Sequence, residues 1–142
     1  DEDEQEQFLP LIEPRVYEAQ CVKIKEFHQF GNQPKLCLTW SFFLSGKDGI
    51  FLPQYFNMNH KKFKESSFYY WNWVIANNGN RPLRRTRAHM TPKIFENIIA
   101  MVHVGTVRRK FPDGSYMPES FNYSKVSFIK SLVQYNNIGG KR

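Results

Sequence analysis

Leu36, Leu38, Trp40, Phe42 and Leu44 alternate along the stretch LCLTWSFFL, and this period of two predicts a half-buried strand over Leu36–Leu44. Upstream, RVYEAQCVKIKEF predicts a first strand over Arg15–Phe27. Tyr17, Ala19 and Cys21 share one parity there, whereas Val22 and Ile24 take the other. A phase slip inside one strand predicts a β-bulge, which lets the strand bend. IFLPQYFNM, from Ile50, reads as a third strand, and Pro53 assigns it an edge or bulge position. Ser66 or Ser67 then caps a helix over Ser67–Asn78. Phe68, Trp71, Val74 and Ile75 share one helical face, which is expected to be buried, and Asn78-Gly79 supplies the stop. Thr91-Pro92 opens a short helical turn through Asn97. Ile98–Lys110 and Phe121–Val133 read as the fourth and fifth strands, separated by an Asp113-Gly114 turn.

The order β-β-β-α-β-β predicts a mainly β fold. The expected form is an OB-like five-stranded bent barrel with one helix between strands three and four. A meander with one helix has the same order and stays open as an alternative. A chain of 142 residues forms one domain with its own core. The expected boundaries are an acidic flexible tail over 1–14, the OB-like domain over 15–133 and a flexible end over 134–142.

Aromatic residues make up 16% of the chain, which argues for an ordered protein rather than a disordered basic tail. The formal net charge is +7, but Asp1, Glu2, Asp3, Glu4 and Glu6 hold five of the thirteen acids. Without them eight acids face twenty Lys and Arg, a net +12. Between Glu65 and Asp113 the only acid is Glu96, against eight Lys and Arg. A body charged in this way attracts polyanions. Cys21 and Cys37 form no CxxC pair, and the four histidines are scattered, so no metal and no other cofactor is expected. Reduced thiols in the cytoplasm are the favoured state, with a cross-strand disulfide as the alternative. No apolar run is long enough to span a membrane. Gly-rich phosphate loops, HExxH and GxSxG are absent, and the basic half lacks the clustered carboxylates a nuclease needs, so an enzyme is not expected.

Candidate binding residues come from the basic and aromatic segments. RPLRRTR supplies Arg81, Arg84, Arg85 and Arg87, with no evident acid partners, as a phosphate clamp. Lys61 and Lys62 lie in the preceding basic loop, and Arg108, Arg109 and Lys110 end the fourth strand. Barrels of the OB type bind across strands two and three, between the first and fourth strand-joining loops. Those loops carry Phe30 and Lys35, then Lys110, Phe111 and Tyr116. On strand two, Thr39, Ser41 and Phe43 face away from the Leu/Trp set. In the helix, Phe68, Trp71 and Ile75 are assigned to the core, which leaves Tyr69, Tyr70 and Trp73 as stacking candidates.

The segments YEAQCVKI, GNQPKLCLTWSFF, GIFLPQYFN, WVIANNG, MTPKIFENIIAMVHVGTV and NYSKV together resemble small OB-fold-like proteins of bacteriophages and bacterial mobile elements. The resemblance spans about Arg15 to Val133. Tyr17, Ala19, Leu38, Trp40, Phe56, Asn57, Ala76, Asn77, Gly79, Pro92 and Val104 match fold positions of that group, and none is a binding residue. Members with an assigned role are proposed single-stranded DNA-binding proteins. The resemblance thus implies a partner that is single-stranded nucleic acid, DNA before RNA. The acidic run departs from many single-strand binders in standing at the start rather than the end. The alternative function is an adaptor or inhibitor of a mobile element that grips a protein or a protein–nucleic acid complex.

Overall fold

The computed structural model describes residues 10–134, apart from 30, 32, 45–48 and 59–60. Five strands form one antiparallel sheet: β1 (Val16–Gln29), β2 (Gln33–Phe42), β3 (Phe51–Asn57), β4 (Ile99–Val107) and β5 (Tyr123–Gln134). The helix α1 (Phe68–Ala76) lies between β3 and β4 in sequence, followed by a 3-10 turn over Pro92–Phe95. Strands are ordered β3-β2-β1-β4-β5 across the sheet. β3 and β5 are its two edges, and among the described residues no ladder joins them. No helix among the described residues is long and apolar enough to cross a membrane.

The slip in β1 is a bulge. Cys21 pairs with Trp40 and Lys23 with Thr39, leaving Val22 outside the register and exposed. Residues before the bulge also pair with β4, from Val16–His103 to Gln20–Ile99, so β1 serves both halves of the sheet. Pro53 sits on edge strand β3, where its missing N–H costs no ladder bond.

One side of the sheet is the core. Tyr17, Ala19, Cys21, Leu36, Leu38, Trp40, Phe42, Leu52 and Phe56 point into it from the first three strands. Ala100, Val102, Val104, Val126 and Ile129 point into it from the last two. Between the sheet edges lies a buried polar chain. Trp40 Nε1 donates to Gln54 Oε1 at 2.9 Å, and Gln54 Nε2 donates to Asn72 Oδ1 at 3.1 Å. The same Asn72 oxygen accepts from Ile129 N at 2.6 Å, and Asn72 Nδ2 donates to Phe68 O at 2.7 Å. A single helical amide therefore satisfies groups of both β3 and β5.

The buried face of α1 differs from the expected one. Phe68 is 75% exposed and Trp71 47%, and Ile75 is only half-buried. Tyr69, Tyr70 and Trp73, the expected stacking candidates, are buried instead. The cause is polar as well as apolar. Tyr69 Oη donates to Met90 O at 2.6 Å, and Trp73 Nε1 donates to Thr91 O at 3.1 Å. These rings satisfy carbonyls of the 90–91 segment, which Phe68 cannot do. Ser67 caps the helix by accepting from Tyr70 N at 3.2 Å. At the other end Gly79 N donates to Val74 O at 2.8 Å and Asn78 N to Ile75 O at 3.1 Å, with Asn78 at φ 58°, a Schellman closure.

The N-terminal boundary also shifts. Ser124 N donates to Pro10 O at 2.9 Å and Ile12 N to Ser124 Oγ at 2.8 Å, so Pro10–Ile12 lies against β5 rather than forming part of a loose tail. Residues 1–9 lie outside the described residues. Cys21 and Cys37 are both free thiols. They sit on opposite sides of the sheet, Cys21 facing the core opposite Trp40 and Cys37 facing out opposite Lys25, so the alternative of a disulfide is not realised.

Candidate nucleic-acid interface

The outer side of β1, β2 and β3 is built by register. Directly paired residues project to the same side of a sheet. Because the core holds Trp40, Leu38 and Leu36, the outward rows are Gln20–Ser41–Phe51, Lys23–Thr39–Pro53, Lys25–Cys37–Tyr55 and Phe27–Lys35–Asn57. Three lysines and three aromatic rings share these rows, and no carboxylate does. Tyr55 is 54% exposed and Phe51 48%. Phe43, also exposed, continues the outward parity of β2 one row further, where its N–H donates to Glu18 O at 3.2 Å and the exposed Glu18 carboxylate bounds the acid-free rows.

The expected residues fall into separate places. Lys35 and Phe43 stand at opposite ends of this face. Phe30 lies outside the described residues. Arg108, Lys110, Phe111 and Tyr116 meet on an arm between β4 and β5. There Lys110 bridges to Tyr116, and Met117 N donates to Arg109 O at 2.8 Å. The Arg108 guanidinium is 4.2 Å and the Lys110 ammonium 5.2 Å from the Tyr116 ring centroid. The Tyr116 ring thus already carries cations. Phe111 is exposed at the arm tip. Asp113 Oδ1 closes that tip, accepting from Ser115 Oγ at 2.6 Å and Ser115 N at 2.9 Å, and these bonds hold its carboxyl below the usual range. Arg109 points elsewhere, 4.7 Å over Tyr123 with Nε donating to Phe121 O at 3.2 Å, which makes it a brace of the arm.

Two arginines of the clamp do have acid partners, against expectation. Arg87 meets Glu26 at 3.0 Å and Arg81 meets Glu65 at 3.5 Å. Both partners are far off in sequence or lie across the helix, so the local run of cations hides them. Lys62, Arg81, Arg84 and Arg85 converge on one cleft, and Lys61 is exposed beside Lys62.

Charge runs and loop positions do not pick out Lys23, Lys25, Phe27, Phe51 and Tyr55. Their signal is the parity itself: once β1 slips at Val22, Lys23 and Lys25 must face away from the core. On β3, Phe51 and Tyr55 take the parity opposite Leu52 and Phe56.

No family model, curated protein or solved structure matches this chain.

Proposed function

We propose that the protein binds single-stranded nucleic acid across the outer side of β1–β3, as an OB-like barrel does. The observation that carries this is the set of outward rows, in which Lys23, Lys25 and Lys35 interleave with Phe27, Phe51 and Tyr55 without an acid. Cations that track a backbone beside rings that stack on bases are the elements of sequence-tolerant single-strand binding. The OB-like reading is supported by the bulged β1 shared between two half-sheets and by the facing edges β3 and β5, joined through Asn72 rather than a ladder. The preference for DNA over RNA, and the place among phage and mobile-element proteins, follow from the family resemblance.

The test is a titration of labelled single-stranded and duplex oligonucleotides at several salt concentrations. Single strands should bind tighter than duplex. Replacing Lys23, Lys25 and Lys35 together with alanine should lower the salt slope by about 2, because each lysine that neutralises a phosphate of a single strand adds about 0.7 to it. Binding to a protein partner alone, with no salt-dependent affinity for oligonucleotide, would overturn the reading in favour of an adaptor.

A further inference from the structure

The lysine and aromatic rows end at the β1–β2 hairpin, where Lys35 pairs with both Phe27 and Asn57. The chain does not leave that end of the sheet at once. Met58 N donates to Pro34 O at 2.9 Å, Lys62 bridges to Thr86, and Phe63 N donates to Arg85 O at 2.7 Å. Arg87 ties the same loop back to Glu26 of β1 at 3.0 Å. These bonds fix the 81–87 loop next to the hairpin end of the proposed track.

Between the loop and the helix lies a cavity of about 430 Å³, lined by Lys62, Glu65, Tyr70, Arg81, Arg84 and Arg85. That size falls among pockets that take a small ligand, roughly 300–1,000 Å³. Four cations face it against one carboxylate. Glu65 is engaged with Arg81 at 3.5 Å, and among the described residues Arg84 and Arg85 have no acid partner. Guanidinium groups bind phosphate through paired N–H donors, and two such groups lining one cavity, neither with an acid partner among the described residues, suit a phosphodiester. The exposed Trp71 ring packs edge-on against Tyr70, with centroids 5.4 Å apart, so an aromatic surface adjoins the cations.

We propose that this cleft holds a phosphate-bearing nucleotide unit of a strand that has passed off the hairpin end of the sheet. The inference rests on the single-strand reading and extends its site from the sheet to the loop. It assigns Arg84 and Arg85 to the phosphate and leaves Arg87 as a structural tie.

The test uses the full chain and the Arg84→Ala/Arg85→Ala double variant, titrated with oligothymidylates of about 4 to 16 nucleotides, the range of site sizes for one such barrel. Short oligomers that cover only the sheet should bind both proteins alike. Long ones should bind the variant more weakly, with a salt slope smaller by about 1.4, since each arginine on a phosphate accounts for about 0.7. An unchanged melting temperature controls for folding, since both side chains lie on a surface loop. Equal affinities and slopes at every length would overturn the cleft while leaving sheet binding intact. Loss of binding in a Tyr55→Ala protein beside an unaffected double variant would say the same. A wild-type chain that binds no single strand at any length would overturn both.

Discussion

Tyr55 and Lys25 stand on either side of Cys37, and they should fail in different ways when replaced. Tyr55→Ala removes a stacking ring, so single-strand affinity should drop by about 1–3 kcal/mol with the salt slope nearly unchanged. Lys25→Ala frees one phosphate, so the slope should fall by about 0.7. Anisotropy titrations at several salt concentrations separate the two. The helix offers a second contrast. Trp73 is buried and donates to Thr91 O, whereas Trp71 is about half exposed. Trp73→Ala should cost about 3–5 kcal/mol in urea unfolding, as large aromatic truncations in a core do. Trp71→Ala should stay within about 0.5 kcal/mol, as surface changes do.

At the scale of elements, the junction between β3 and β5 depends on Asn72. Asn72→Leu keeps an aliphatic body in the core but strands the Ile129 N–H and the Gln54 amide. Each buried group left unpaired costs about 1–3 kcal/mol. Stability should fall accordingly, and amide exchange at Ile129 should become fast. Protection of that amide as in the wild type would mean that β5 is held by other means. This junction marks where sequence stops being informative. Alternation in β2, the slip at Val22 and the Asn78-Gly79 stop are local signals, and all of them are legible. The buried side of α1 is not, because aromatic residues occupy every side of the FYYWNWV turn. Hydropathy alone cannot rank Tyr69 against Phe68; the carbonyls of Met90 and Thr91 do so, and they come from a segment that chain position does not place. The same holds for Glu26 against Arg87, which are 61 residues apart. The proposed face is half legible, since Lys35 and Phe43 lie on it while its middle rows need the register of three strands.

For the whole molecule, the core and the proposed face are reported by two different thiols. Burial pushes Cys21 up from 9.0 to about 12. The unfolded thiol ionises first as pH rises, so this contribution is fully present below about pH 9 and is lost as pH climbs towards 12. Urea midpoints should decline over that window, and Cys21→Ala should flatten the decline. Cys37 is also raised by partial burial, but it faces outward between Lys25 and Tyr55. The most direct measurement is therefore the rate at which a thiol reagent modifies Cys37 in the folded chain, with and without saturating single-stranded oligonucleotide, while Cys21 stays unreactive. A strand lying across β1–β3 predicts that Cys37 modification slows as the oligonucleotide binds. Full binding by anisotropy with an unchanged Cys37 rate would contradict that placement.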